Sequence, residues 1–180
     1  MRIVSGSHKG RRITAPNKLP IRPTTDFAKE ALFNILSSRF DFYELEVLDL
    51  FAGSGNISYE FASRGVPQIK CVDAHAGCVK FIHKTAAELS FPISTVKSDV
   101  YKYLNASNAI LDIIFADPPY MFQLEQFEKL VDMIFQKKLL KPEGILIIEH
   151  PKQTDLSNLF GYLESRRYGS SMFSFFGSEF

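Results

Sequence analysis

The sequence has no long apolar run and only two cysteines. None of its apolar stretches approaches the roughly 18 residues that a helix needs to span a bilayer. Its first twelve residues lack the apolar segment followed by small residues that marks a secretory signal. Cys71 and Cys78 match neither a zinc spacing nor a disulfide framework. We therefore expect reduced thiols in a cytoplasmic protein that binds no metal and contacts no membrane.

Charge is distributed unevenly along the chain, although the net charge is only +1. Residues 1–39 carry eight Lys and Arg against two acidic residues, a net of +6, and the other 141 residues carry thirteen against eighteen, a net of −5. A basic end on a mildly acidic body indicates a partner that carries phosphates. A tail that only keeps the protein in solution would explain the same distribution equally well.

Short runs rich in Val, Ile and Leu alternate with helix-length segments from residue 46 onward. Strands that are apolar on both faces and alternate with helices indicate a parallel sheet covered on both sides. The expected strands are 47–51, 69–73, 93–98, 110–117 and 144–150, and the expected helices are 56–64, 76–89 and 123–136. Two further strands, at 163–168 and 172–176, predict an antiparallel hairpin at the end of a mainly parallel sheet.

The residues before this alternation predict an arm and one helix. Two short apolar stretches, 2–4 and 12–14, flank a Lys-Gly turn and predict a small hairpin, after which three prolines interrupt regular structure. Either Thr25 or Asp26 can begin a helix that ends near Ser38. The side of this helix expected to be buried consists of Phe27, Ala31 and Ile35.

A glycine-rich turn, DLFAGSG, closes the first core strand and opens the next helix. Glycines there let the backbone turn tightly and approach a ligand closely. Because the turn directly follows the first core strand, we interpret it as a cofactor loop, although such a turn can also serve packing alone. The predicted cofactor-binding residues of the loop are Asp49, Phe51, Ala52, Gly53, Ser54 and Gly55.

Two more carboxylates follow the second and third expected strands. Asp73 is placed to accept hydrogen bonds from both hydroxyls of a ribose, and Asp99 to accept from an adenine amino group. Asp99 equally suits the cap of a short helix at 100–104. A nicotinamide cofactor would fit the loop and these acids as well, so these features alone do not identify the cofactor.

The fourth expected strand runs into Asp117-Pro118-Pro119-Tyr120, which is the most specific pattern in the chain. Two successive prolines fix an extended backbone whose carbonyls cannot join a helix. A carboxylate and a fixed carbonyl make two acceptors that match the two hydrogens of an aromatic amino group. Tyr120 offers a ring on which a base can stack. We predict that these four residues form the catalytic site of an amino-methyltransferase.

The glycine loop and the proline tetrad resemble motifs I and IV of class I amino-methyltransferases. The stretches RIVSG, KGR and RPTTD near the start, with SRG at 63–65, are similar to the bacterial 16S rRNA guanine-N2 methyltransferases of the RsmD type. The resemblance covers essentially the whole chain. It implies a seven-stranded Rossmann-like fold that uses S-adenosylmethionine without metal and releases S-adenosylhomocysteine. The implied substrate is a guanine amino group in 16S rRNA of an assembled or assembling small ribosomal subunit, with contacts to ribosomal proteins possible.

The resemblance also gives the arm a role. It divides the chain into a basic arm at 1–24 and a methyltransferase domain at 25–180, which we expect to be monomeric. Arg22 and Thr24 are expected to fold over the cofactor pocket. The residues expected to contact RNA phosphates are His8, Lys9, Arg11 and Arg12. Three positions depart from the family pattern: Asp73 is shorter than the usual Glu, Thr85 stands where Asn is common, and Asn56 replaces a small residue.

Other activities fit parts of the pattern. The same tetrad would serve a methyltransferase that acts on another RNA, on DNA or on a protein glutamine, although 180 residues leave no room for a separate DNA-recognition domain. A catalytically silent RNA-binding assembly factor on the same scaffold would not need Gly53, Gly55, Asp73 and Asp117. A nicotinamide oxidoreductase has no use for the proline tetrad.

Overall fold

The alternation of apolar strands and amphipathic segments produces a single sheet with helices on both faces in the computed structural model, which describes residues 1–20 and 24–177. The strands of this part are β1 Glu46–Leu50, β2 Gln68–Asp73, β3 Ile93–Lys97, β4 Leu111–Ala116, β5 Leu140–Pro151, β6 Tyr162–Tyr168 and β7 Ser171–Gly177. The α-helices are α1 Asp26–Ser37, α2 Asn56–Ser63, α3 Ala76–Glu88, α4 Val100–Ala106 and α5 Leu124–Gln136, and a 3-10 turn spans Phe42–Glu44.

The seven strands lie in the order β3-β2-β1-β4-β5-β7-β6. The first five pair in parallel, whereas β7 is antiparallel to both β5 and β6. The predicted parallel sheet and its terminal hairpin are therefore confirmed. The strand order reverses between β1 and β4, and in open α/β sheets a ligand crevice forms outside the carboxyl ends of the strands at such a reversal.

Apolar side chains fill a separate layer on each face of the sheet. On one face, α1, α2 and α3 bury residues such as Leu32, Phe61 and Ile82 against the strands. On the other face, α4 and α5 bury Leu104 and Phe127 in a second cluster. Both faces are covered in β1, β4 and the second half of β5, which explains their continuous apolar runs, whereas β2 and β3 near the edge of the sheet keep exposed polar residues.

Helix α1 begins where the sequence predicts, but it buries a different side. Thr25 caps the helix and its hydroxyl accepts from the Ala28 N–H. Phe27, expected in the core, is 69% exposed and makes only an edge contact with Tyr168 in the terminal hairpin. The prediction for Phe27 was wrong because a stronger apolar stripe lies on the neighbouring side of the helix. The buried residues of that stripe are Ala28, Lys29, Leu32, Phe33 and Leu36.

Where the sequence predicts a hairpin in the arm, the structure has a single antiparallel β-bridge, between Arg2 and Arg12. The Ile3 N–H donates to the Arg11 carbonyl, and the Gly10 N–H donates back to the Ile3 carbonyl. Ile3 is 1% exposed and Ile13 is 8% exposed, and both belong to the apolar cluster under α1–α3. The arm is therefore packed against the body of the protein along its length to Ile13.

A buried carboxylate in α2 holds this arm in place. Glu60 accepts from the backbone N–H groups of Val4 at 2.8 Å and Ser5 at 3.0 Å. It also pairs with Lys29 of α1 at 3.3 Å and with Arg64 at 2.9 Å. The Lys29 and Glu60 side chains are at most 1% exposed. Because a buried charge is tolerated only when it is paired and hydrogen-bonded, the four donors keep Glu60 in the interior.

The Lys29 ammonium extends this network towards the carboxyl ends of the strands. Burial lowers the pKa of Lys29, while the Glu60 carboxylate raises it. Lys29 donates to the Arg2 carbonyl at 2.6 Å and to the Asn56 side-chain oxygen at 2.9 Å. The Asn56 side-chain nitrogen in turn donates to the Thr24 carbonyl at 3.0 Å. The departure at Asn56 thus has a structural role, because its side chain joins Lys29 of α1 to Thr24, two residues before the helix begins.

We expect Lys29→Ala to lower the free energy of unfolding by about 3 kcal/mol. This is the lower end of the usual cost of removing one partner of a buried pair, because Arg64 still neutralises Glu60. Urea unfolding measures the change. Lys84→Ala breaks the exposed Lys84–Glu88 pair of α3 and is the matched control, with an expected change within about 0.5 kcal/mol. Equal losses in the two variants would contradict the importance of the buried network.

Candidate active site

The glycine loop and the proline tetrad lie on either side of the strand reversal. The loop follows β1 and the tetrad follows β4, and these strands are neighbours in parallel register. The Asp117 N–H donates to the Leu50 carbonyl at 3.3 Å, which ties the start of the tetrad to the end of β1. The Ala52 N–H donates to the Val72 carbonyl at 3.1 Å, which ties the loop to the end of β2. The two motifs predicted from the sequence therefore meet at one crevice.

The glycine loop has an unusual backbone. Phe51 at φ 59°, Gly53 at φ 55° and Gly55 at φ 80° all adopt positive φ. A non-glycine residue in this region is uncommon, and Phe51 is held there partly by an edge contact of its ring with Phe122 at 5.5 Å. A Cβ on Gly55 would lie 2.8 Å from the Tyr59 ring. Gly55 is thus required both for its backbone conformation and for its close approach to α2.

The first turn of α2 faces the crevice side of the loop without a side-chain cap. Gly55 is the N-cap residue and makes no side-chain hydrogen bond to the helix. The first N–H groups of a helix have no partner within the helix and carry the positive end of its dipole. The start of α2 therefore presents backbone donors to a ligand with oxygen atoms.

Asp73 and Asp99 stand at the ends of β2 and β3, as predicted. Asp73 accepts from the Gly53 N–H at 2.8 Å and from the His75 N–H at 2.7 Å. Asp99 caps α4, since it accepts from the Lys102 N–H at 3.0 Å. The two carboxylates thus shape the loops around the crevice. A carboxylate oxygen can accept more than one hydrogen bond, so these contacts leave each acid able to accept from a ligand.

Asp49, the first residue of the predicted loop, lies beneath the crevice rather than in it. Its side chain is 2% exposed and accepts from the Ser58 hydroxyl at 2.5 Å. That hydroxyl is also 3.0 Å from the Cys71 sulfur. The pKa of Asp49 is raised from 3.8 to about 7, chiefly by burial; the Ser58 hydrogen bond opposes this shift and the charge of Asp73 adds to it.

The proline tetrad forms a turn that exposes its aromatic ring. The Pro119 carbonyl accepts from the Phe122 N–H at 2.8 Å, so it is used within the turn. The carbonyl of Pro118 receives no hydrogen bond from the residues that the structure describes. Asp117 is half-buried, and Tyr120 is 58% exposed with its hydroxyl accepting from the Gln153 side chain at 3.0 Å. The tyrosine ring therefore stands at the mouth of the crevice and not in the core.

An aromatic cluster that the sequence did not reveal supports both motifs from below. The Phe122 ring contacts Phe51 of the loop, stacks with Tyr101 of α4 at 6.4 Å and meets Phe127 of α5 at 5.1 Å. The one feature of the sequence that points to Phe122 is its position two residues after the tetrad, where an apolar side chain can pack under the turn. The cluster couples the conformation of the loop to that of the tetrad.

Thr24, which the resemblance placed over the cofactor pocket, has a partner that the sequence did not suggest. Its hydroxyl donates to the Glu149 carboxylate at 2.6 Å, and both side chains are buried. Glu149 is in β5, next to the strand that ends at the tetrad. Arg22, the other residue expected to cover the pocket, lies outside the described residues.

The four residues predicted to contact RNA lie on the arm, away from the glycine loop. Lys9, Arg11 and Arg12 are exposed. His8 is half-buried, with its ring edge-on to Phe91 at 4.6 Å and its Nδ1 2.9 Å from the Ser7 hydroxyl. The exposed side chains are therefore available to phosphates, whereas His8 is partly occupied by packing.

Both cysteines are free and buried. No set of three or more His, Cys, Asp or Glu side chains in the described part of the chain is placed to hold a metal ion. Among the helices at residues 1–20 and 24–177, none has the length and apolar character that crossing a bilayer requires.

The strand order, the glycine loop after β1 and the proline tetrad after β4 define a class I methyltransferase of the Rossmann-like type. The model of the family described as Conserved hypothetical protein 95 matches residues 1–177. The chain belongs to this family, and it is a methyltransferase of the RsmD type, as the sequence motifs suggested.

Named relatives cover most of the chain. YlbH of Bacillus subtilis is 33% identical over 93% of this chain and 91% of its own length. The ribosomal RNA small subunit methyltransferase D of Haemophilus influenzae is 30% identical over 87% of this chain and 81% of its own length. The solved structure of yhhF from Escherichia coli superimposes with a TM-score of 0.84 at 25% identity, covering 98% of this chain and 96% of that one.

Gly55→Ala is expected to destabilise the protein more than Gly169→Ala. Both residues have positive φ, at 80° and 64°, so each alanine meets a backbone strain of about 1–2 kcal/mol. A Cβ at Gly55 would also collide with Tyr59, whereas nothing lies within 4 Å of a Cβ at Gly169. Urea unfolding of the two variants isolates the steric contribution. Equal destabilisation would show that the approach of the loop to α2 is not tight.

The raised pKa of Asp49 predicts a pH dependence of stability that Asp49→Asn removes. Since the folded protein holds this proton up to about pH 7 and the unfolded chain loses it near 3.8, the stabilising contribution is present below pH 3.8 and is lost as the pH rises to 7. The wild type should lose up to about 1.4 kcal/mol per pH unit relative to the variant across this window. Parallel curves of unfolding free energy against pH for the two proteins would be inconsistent with a buried neutral Asp49.

Proposed function

We propose that this methyltransferase transfers a methyl group from S-adenosylmethionine to the exocyclic N2 amino group of a guanine in 16S rRNA. The single observation that carries the proposal is the position of Asp117. It follows β4 directly, is tied by its N–H to the end of β1 and so stands across the strand reversal from the glycine loop. An acceptor for a base amine is thereby held beside the loop that would hold the methyl donor.

The residues of the crevice fit S-adenosylmethionine. The uncapped start of α2 offers backbone donors to its methionine carboxylate, and the turn at Gly53 and Gly55 lets the cofactor approach the backbone closely. Asp73, the last residue of β2, fits the ribose hydroxyls, and Asp99, two residues after β3, fits the adenine amino group, because the ends of these strands border the crevice. Bound there, the cofactor supplies an electrophilic methyl group on a positively charged sulfonium.

The tetrad provides the groups that act on the amine. An exocyclic amine shares its lone pair with the ring and is a poor nucleophile. The Asp117 carboxylate and the Pro118 carbonyl accept from its two N–H groups, and these hydrogen bonds strengthen as the nitrogen becomes positive during transfer. Asp117 then takes the proton that the nitrogen loses. Tyr120 stacks on the base from the mouth of the crevice and fixes its orientation, so most of the rate comes from positioning.

The basic arm supports an RNA substrate. Its exposed Lys and Arg side chains match a phosphate backbone, and the named Haemophilus influenzae relative acts on small-subunit ribosomal RNA according to its name. The amino group of a paired guanine is buried in the duplex, so the target base must be unpaired or extruded to reach Tyr120. We place this activity in the cytoplasm, with a monomer acting on the small subunit or on an assembly intermediate, where ribosomal proteins are further candidates for contact.

The test is transfer of a radiolabelled methyl group to small subunits that lack the modification, followed by mapping of the labelled base. The wild type should label one guanine at N2. Asp117→Ala should reduce transfer by at least a hundredfold, because it removes an acceptor that acts in the transition state, while calorimetry shows cofactor affinity within about threefold of the wild type.

Two outcomes would overturn the proposal. Near-normal turnover of Asp117→Ala would show that the Asp117 carboxylate is not the acceptor for the base amine. Binding of a nicotinamide cofactor but not of S-adenosylmethionine would show that the protein does not catalyse the proposed methyl transfer. Label recovered on protein glutamine or on another RNA would keep the chemistry and reject the proposed substrate.

A further inference from the structure

A basic groove runs between the arm and α3. It has a volume of about 540 Å³, within the range of ligand-sized clefts, and its walls are residues 11–14 and 16 of the arm and one side of α3 from Gly77 to Leu89. Four cationic side chains line it: Arg11 and Arg12 from the arm, and Lys80 and Lys84 from α3. One acidic side chain, Glu88, also lines it, so the charge of the lining is +3.

We propose that this groove seats the phosphodiester backbone of the RNA substrate, with Lys80 and Lys84 as phosphate contacts facing Arg11 and Arg12. The inference deepens the proposed function and rests on it. It changes the role of the arm: the arm is one wall of a binding groove, and α3 of the catalytic domain is the other.

The charges of the groove are available to a ligand. Lys80 and Lys84 are exposed and one helical turn apart, so their Cβ atoms are about 6 Å from each other on the same side of α3. Arg11, Arg12 and Lys80 form no ion pair within the described part of the chain. Lys84 is 3.7 Å from Glu88, but both side chains of this pair are largely exposed, which makes it weak. Two facing rows of cations suit a linear polyanion that passes between them.

The groove leads to the crevice. Its Gly77 end lies in the first turn of α3, four residues after Asp73, which holds the glycine loop. The arm runs the same way: a Cβ on Gly77 would lie 3.0 Å from the Leu19 side chain, and Thr24 contacts Glu149 beside the tetrad. A strand whose backbone lies in the groove can therefore present a base to Tyr120.

Fluorescence anisotropy with a labelled 20-nucleotide oligouridylate tests the inference directly. Lys80→Ala with Lys84→Ala should weaken binding on the order of tenfold at low salt, and should flatten the log–log salt dependence by about 1.4, since each single-strand phosphate contact contributes roughly 0.7. The matched control is Lys129→Ala with Lys137→Ala, which removes the same charge from α5 and from the residue that caps its end, on the opposite face of the sheet. This control should bind the oligonucleotide within about twofold of the wild type.

Two probes identify what the groove recognises. An oligouridylate with an uncharged methylphosphonate backbone should bind the wild type weakly and should no longer distinguish it from the Lys80/Lys84 variant. Poly-glutamate of equal charge should bind weakly as well. If poly-glutamate bound as tightly as the oligonucleotide with the same lysine dependence, the groove would be a protein-docking surface, and the inference would be wrong.

The failure of this inference can be told apart from failure of the proposed function. Thermal unfolding and calorimetry with S-adenosylmethionine should give wild-type values for the Lys80/Lys84 variant, while methyl transfer to small subunits falls with its RNA affinity. Equal losses in the α3 and α5 double variants would overturn the groove and leave the methyltransferase intact. If lysine-dependent RNA binding persisted in a protein that methylated no subunit, the proposed function would fail and the groove would stand.

Discussion

The buried Glu60 carboxylate is the interaction on which the rest of the molecule depends. It lies in α2 and is contacted by the start of the chain through two backbone N–H groups, by Lys29 of α1 and by Arg64 at the end of α2. Because each lost partner of a buried charge is costly, the contact favours one arrangement of these elements rather than adding a general attraction. Through Lys29 and Asn56 it also fixes the segment at Thr24. The basic surface and the crevice are thus positioned by the same interior charge.

The two halves of the active site are held by different forces. The glycine loop is fixed by backbone hydrogen bonds to β2 and Asp73 and by positive φ angles. The tetrad is fixed by prolines and by the aromatic cluster around Phe122. Because Phe51 belongs to the loop and packs against Phe122, neither half can move alone. Such a rigid arrangement suits a reaction whose rate comes from alignment of the donor and acceptor.

The sequence predicts the sheet well because its signals are local. The strands β1, β4 and β5 contain continuous apolar runs, and the two motifs are recognisable by their places directly after the first and fourth strands. The side of α1 that is buried was predicted wrongly at Phe27, since that choice depends on the neighbouring strands and on Lys29, a residue type seldom buried without a partner. Glu149 and Glu60 were missed for the same reason: their partners are 125 and 56 positions away in the chain. Contacts between distant segments leave no periodic signal to read.

The Thr24–Glu149 contact has a consequence for biosynthesis. A chain emerging from the ribosome makes its first residues early, but the carboxylate that Thr24 requires appears only when β5 has been translated. β7 comes later still and must then insert between β5 and β6. Pairings between such remote segments form slowly because a long loop has to close first. The crevice is consequently completed late in folding, and an incomplete nascent chain has no assembled catalytic centre.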